Sequence, residues 1–145
     1  MKNIVSDIVF CRECNMKWEK IQMESIFNEN GRLDVCEFPF SFNRFYVISE
    51  VEQQIVRGNH AHKNLSQIFF ALSGSFKLKL DDGSSIEVFS LENNGTGVIV
   101  KPGVWRELSD FSSQCKCLVF ASSHYDPSDY IFNYTEFKEG IKNIE

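Results

Sequence analysis

The stretch Arg57-Gly58-Asn59-His60-Ala61-His62-Lys63, continuing to Gln67 and Gly74, decides how the chain is read. Side chains alternate between faces along a strand, so His60 and His62 point the same way and one wall presents two imidazoles together. Taken alone, such a pair suits a solvent face. The surrounding sequence has to decide.

Around it run short alternating segments of strand length. Phe45, Val47, Ser49 and Val51 alternate with Tyr46, Ile48 and Glu50, and Phe76, Leu78 and Leu80 alternate with Lys77 and Lys79. Asp81-Asp82-Gly83 supplies turn residues, and Ile86 to Leu91 reads as the returning strand of a hairpin. Asn93-Asn94-Gly95 marks another turn before Val98-Ile99-Val100, Pro102-Gly103 ends that strand, and Cys115 to Ala121 forms the next. Strands this short, with turns about ten residues apart, predict an all-β sandwich or barrel. Residues 12 to 28 fit either an edge strand or a turn of helix. Asp126-Pro127 is suited to open a helical turn, and Thr135 to Ile144 predicts a short closing helix.

The chain has 145 residues, 43% of them hydrophobic and 14 of them Phe, which predicts one globular domain over 1–145 rather than disorder. A net charge of -5 argues against a nucleic-acid partner, which needs clustered Lys and Arg. No apolar run reaches the length of a membrane span and no signal-peptide pattern opens the chain, so no membrane partner is expected and the cytoplasm is the expected location. Cys11-x-x-Cys14 is half of a zinc pattern without its second half. Cys115, Cys117, Val119 and Ala121 share one strand face, which predicts reduced cysteines in the core.

His-x-His, four residues, Gln67, six residues and Gly74 resembles the first motif of the cupins, whose usual Glu is Gln67 here. Gly97, four residues and Pro102-Gly103-Val104-Trp105-Arg106 resembles their second motif, with Arg106 where a third histidine usually stands. The two half-motifs in this order imply a cupin jelly-roll (a double-stranded β-helix barrel) with a short C-terminal helix. Metal-binding cupins offer three imidazoles and a carboxylate. An amide and a permanent guanidinium in two of those places make the pocket hostile to a divalent cation, so neither metal nor other cofactor is expected. Two histidines beside an arginine suit proton transfer instead. A neutral imidazole takes and returns a proton near neutral pH, and a guanidinium steadies the oxyanion left next to a carbonyl.

Further stretches narrow this. Asn43-Arg44-Phe45-Tyr46, the histidine segment, Leu80-Asp81-Asp82-Gly83, Val104-Trp105, Asp110-Phe111-Ser112-Ser113, Ala121-Ser122, Tyr125-Asp126, Asp129-Tyr130-Ile131, Tyr134 and Phe137 together resemble the sugar 3,4-ketoisomerase family, over roughly residues 31 to 142. That resemblance implies a dTDP-4-keto-6-deoxyglucose substrate, with the C3 proton removed and returned at C4. It implies a place in making 3-amino-3,6-dideoxy sugars for surface glycans such as lipopolysaccharide O-antigen. It also implies a homodimer that exchanges N-terminal strands. Carried over by residue, His62 is the expected proton-shuttling base with His60 beside it, Tyr46 binds or polarises the sugar, and Arg44 and Arg57 meet the pyrophosphate. Two departures stand out: Arg106 replaces a histidine, and Phe132 replaces an arginine after Asp-Tyr-Ile. A non-catalytic nucleotide-sugar-binding cupin is the alternative that Arg106 favours, and a metal-dependent dioxygenase is opposed by Gln67 and Arg106.

Overall fold

The computed structural model describes residues 16–143, so Cys11 and Cys14 lie outside the described residues. The alternating segments become strands as expected. In chain order they are β1 (Trp18–Gln22), β2 (Glu24–Asn28), β3 (Gly31–Val35), β4 (Arg44–Ser49), β5 (Arg57–His62), β6 (Gln67–Ser73), β7 (Ser75–Asp81), β8 (Ile86–Glu92), β9 (Thr96–Val100), β10 (Trp105–Ser109), β11 (Lys116–Ala121) and β12 (Tyr130–Ile131), followed by helix α1 (Tyr134–Lys142). The described part of the ambiguous segment, from residue 16, forms β1 and β2. Four strands were not singled out from sequence. These are β3, which closes a hairpin with β2, the continuously apolar β6, β10, whose Trp-Arg-Glu start disguises it, and the two-residue β12.

Two five-stranded antiparallel sheets, ordered β1-β9-β6-β11-β4 and β12-β5-β10-β7-β8, form the jelly roll, and β2-β3 stands apart as a two-stranded sheet. Inward side chains from both large sheets make the main core, among them Phe69, Phe76, Leu78, Val98, Val100 and Val119. Cys115 and Cys117 are buried free thiols in that core, as their period-two spacing predicts. No described helix is long and apolar enough to cross a membrane.

The alternation in β4 falls the less obvious way round. Tyr46 and Ile48 face the core, while Phe45 and Val47 are exposed at 62% and 45%. The outer face of the first sheet is apolar too. It carries Ile68, Phe70 and Ile99, with Phe38 and Phe40 packed over them.

At the C-terminus, Asp126 caps a 3-10 turn over Pro127–Asp129, accepting from Ser128 N–H. Asn133 then caps α1 by accepting from Glu136 N–H. The helix lies behind the histidine strand. Phe137 is buried against Ala61 and Trp105, and the Tyr134 hydroxyl donates to Asp81 Oδ2 at 2.5 Å. The outer face of β5 is therefore sealed by an aromatic layer. Phe137→Ala should destabilise the fold by about 3 kcal/mol, the usual cost of emptying a buried phenylalanine site. A urea titration should show the midpoint falling with unchanged slope.

Candidate active site

The histidines are aimed by a bulge. Arg106 on β10 pairs with His60, Glu107 pairs with Gly58, and Asn59 is left without a partner. Gly58 and Asn59 both take positive φ, at 86° and 54°. A Cβ on Gly58 would stand 2.8 Å from the Arg106 carbonyl oxygen, so only glycine lets the strands close here. The bulge brings the Gly58 carbonyl to 2.9 Å from His60 Nδ1. Two residues on, His62 Nδ1 lies 2.9 Å from Asp129 Oδ2, and the two Nε2 atoms are 3.1 Å apart.

These partners assign the protons. A carbonyl oxygen and a carboxylate only accept, so Nδ1 carries the hydrogen in both rings. Each Nε2 is then the ring's one basic atom. His60 is half-buried and lines a cavity of about 460 Å³. His62 is fully buried and stands behind it. His62, the residue expected as base, thus lies behind His60, and His60 is the histidine on the cavity wall. Burial, chiefly, holds both imidazoles below the usual histidine range. The Arg106 cation adds to this for each, and His60 adds to it for His62, while Asp129 pulls His62 the other way. Both are neutral bases at neutral pH.

Arg106 lies across the barrel interior, 1% exposed. Its Nη1 donates to Gln67 Oε1 and its Nη2 to the Val104 carbonyl at 2.8 Å, while Nε has no partner among the described residues. Burial pushes the guanidinium down to about 10, which leaves it charged at neutral pH. Gln67 Nε2 in turn donates to the Tyr46 hydroxyl at 2.9 Å. With its oxygen accepting from Gln67, Tyr46 keeps its own hydrogen to donate. Burial raises the Tyr46 phenol above its ordinary value and the Arg106 charge opposes that, so it stays protonated. Gln67 and Arg106, the two positions where a metal cupin carries ligands, are thus spent on each other.

Of the six residues expected in the site from sequence, the cavity gathers all but His62. Arg44, Tyr46, Arg57, His60 and Arg106 all line it. Arg44 donates from Nε to the Ser123 carbonyl at 3.3 Å, and its guanidinium lies between the Tyr46 and Tyr125 rings, 5.5 and 5.7 Å from their centroids. Phe132, where an arginine was expected, stacks on Tyr130 at 5.2 Å with the planes 13° apart. Tyr130 also meets the His62 ring at 4.4 Å. Asp129 and Tyr130 stood in a recognised stretch but had no role assigned. The signal for one is a carboxylate 67 residues from its histidine partner, a separation that no local pattern encodes.

This architecture has close parallels. The chain is 40% identical over 133 residues to the TDP-4-oxo-6-deoxy-alpha-D-glucose-3,4-oxoisomerase of Aneurinibacillus thermoaerophilus, spanning 89% of this chain and 96% of that protein. A histidine-to-asparagine variant of the 3,4-ketoisomerase QdtA from Thermoanaerobacterium thermosaccharolyticum, in complex with TDP-4-keto-6-deoxyglucose, superposes with a TM-score of 0.83 at 34% identity, over 88% of this chain and 95% of its own. WlaRA, a TDP-fucose-3,4-ketoisomerase from Campylobacter jejuni, superposes at 0.84 with 31% identity, over 89% and 98%. The family described as WxcM-like, C-terminal (FdtA) matches residues 15–142. With that match joined to the jelly roll and its histidine-lined cavity, the chain belongs to the WxcM-like, C-terminal family.

Proposed function

We propose that this chain is a nucleotide-sugar 3,4-ketoisomerase acting on dTDP-4-keto-6-deoxyglucose, the sugar that one relative carries in its name and another holds in its complex. The observation that carries the reading is a neutral base, a phenol donor and a buried cation facing one cavity: His60 Nε2, the Tyr46 hydroxyl and Arg106. His60 Nε2 takes the C3 proton. The charge that develops on the enediolate oxygens is met by the Tyr46 hydroxyl and by the field of the buried Arg106 cation. The C3 hydroxyl proton passes to the C4 oxygen, and His60 returns its proton to C4. Atoms balance, and no electrons leave the sugar, so the reaction calls for no redox cofactor. Arg44 and Arg57 supply guanidinium forks for the pyrophosphate, and Tyr125 and Tyr130 supply stacking surface. A 3-keto product is what amination at C3 requires, and the role proposed with it lies ahead of amino-sugar synthesis for surface glycans such as lipopolysaccharide O-antigen, with the cytoplasm as the proposed location.

NMR of the products formed from dTDP-4-keto-6-deoxyglucose tests the reading. Production of a 3-keto sugar supports it, whereas tight TDP binding with no conversion would return the chain to a non-catalytic binder. His60→Asn should lower turnover by ~10² to 10⁴, the usual worth of a positioned general base, with TDP affinity unchanged in calorimetry.

The pH dependence has a definite sign. His60 accepts a proton only while neutral, and its pKa lies below the ordinary 6.5. The rate should therefore stay level as pH falls through about 6.5 and drop only in more acid solution. A stopped rate assay across pH 4.5 to 8 reads this directly.

We also propose that the enzyme is a homodimer with exchanged N-terminal strands. The β2–β3 hairpin pairs with no other described strand, all ten of its strand residues are exposed, and Phe27 and Leu33 on it are exposed at 71% and 57%. Phe45 and Val47 extend the uncovered apolar surface. Light scattering should give twice the chain mass. Phe27→Asp should weaken association at least about tenfold, as loss of a buried aromatic anchor does.

A further inference from the structure

We infer that Asp129 is a positioning residue for proton transfer: by accepting the Nδ1–H of His62 it keeps His62 Nε2 a bare lone pair facing His60, so that the two imidazoles share the proton taken from the sugar. This rests on the ketoisomerase reading above and deepens it.

Four contacts define the chain of groups. The Gly58 carbonyl meets His60 Nδ1 at 2.9 Å, the two Nε2 atoms are 3.1 Å apart, His62 Nδ1 meets Asp129 Oδ2 at 2.9 Å, and Asp129 Oδ1 accepts the Asn64 backbone N–H at 2.7 Å. Both outer partners only accept. With both rings protonated at Nδ1, neither Nε2 carries a hydrogen at rest; the two atoms lie 3.1 Å apart with the ring planes 88° apart. Once His60 Nε2 has taken the C3 proton, that hydrogen can lie between the two nitrogens, and a charge-assisted bond forms that the resting state lacks. An interaction made only after proton abstraction stabilises the enediolate stage over the ground state, which is the kind that raises kcat. The carboxylate supplies the balancing charge. The other groups facing His62 are Tyr130 on β12, 4.4 Å away ring to ring, and the Arg106 cation on β10, which opposes the proton's arrival.

Asp129→Asn separates this role from a merely structural one. A carboxylate accepts from both Asn64 N–H and His62 Nδ1–H, whereas an amide has one acceptor oxygen and one donor nitrogen. The backbone N–H cannot relocate its hydrogen but an imidazole can, so the amide oxygen stays with Asn64 and the NH₂ turns to His62. His62 then moves its proton to Nε2 and donates to His60 Nε2, occupying the lone pair that the sugar needs.

The experiment is nitrogen-15 NMR of the imidazoles in the full chain, wild type and Asp129→Asn, with steady-state isomerisation of dTDP-4-keto-6-deoxyglucose by both. We expect His62 protonated at Nδ1 in the wild type and at Nε2 in the variant. Turnover should fall ~10²-fold, toward the loss a wrong histidine tautomer causes in serine proteases, with KM changed less than about threefold. The acid limb of the rate should also move to lower pH, because the charge that favours a proton on the pair is gone. A wild-type His62 protonated at Nε2 would overturn the inference without any variant. So would an Asp129→Asn enzyme with the shifted tautomer and near-normal kcat. The two readings fail differently: a wild type that converts no sugar removes the reaction, whereas an active wild type with an equally active variant removes only the part given to Asp129.

Discussion

Inside the barrel the Arg106 guanidinium is buried without a carboxylate, held by the Gln67 amide and the Val104 carbonyl. A buried charge is costly unless its partners compensate it, and these two neutral acceptors bond part of the guanidinium without cancelling its field. That uncancelled field governs the site. It helps to keep His60 and His62 neutral, it opposes the rise that burial imposes on the Tyr46 phenol, and it is available to a sugar oxygen that turns negative. A glutamate at position 67 would have paired with Arg106 and quenched the effect. The amide is the complement of the arginine, and the two departures from the metal-cupin pattern act as one.

The fold holds this charge in place through β10. That strand pairs with β5 on one side and β7 on the other, so Arg106 enters the interior from the middle of a sheet and not from a loop. Its neighbours alternate outward, where Trp105 packs with Phe137 at 5.7 Å beneath α1. The bulge at Gly58 and Asn59 then serves two ends. It keeps β5 in register with β10 at His60, and it turns the Gly58 carbonyl onto Nδ1, leaving Nε2 as the ring's basic nitrogen. Backbone geometry thus selects a tautomer before any substrate arrives.

Much of this is legible from residues alone. Period two placed His60 and His62 together and put Cys115, Cys117, Val119 and Ala121 in the core, because a strand with one buried face writes its alternation into the sequence. The same rule fails for β6, which is buried on both faces and reads as an unbroken apolar run. It fails for β10, where the buried residue at the centre of the site is an arginine. Which histidine faces the cavity was not legible either. Both share a strand face, and their depth depends on a bulge, a 3-10 turn and a carboxylate far along the chain. Tertiary contacts set that order.

Strand β4 joins the site to the rest of the surface. It is the edge of its sheet, with Arg44 and Tyr46 turned to the cavity and Phe45 and Val47 turned outward. An edge strand has a ladder on one side only, here to β11, and so is the wall segment least constrained by its own chain. A partner seated on Phe45 and Val47 would supply the missing constraint from outside, bracing the same backbone that holds the Tyr46 hydroxyl against Gln67. Sub-ångström placement of that hydroxyl matters, because a donor strengthens a developing oxyanion only when it is already aligned. In the proposed dimer the apolar outer face of β4 would serve the catalytic design as much as the polar inner one, since alternation along one strand would give one side to association and the other to chemistry.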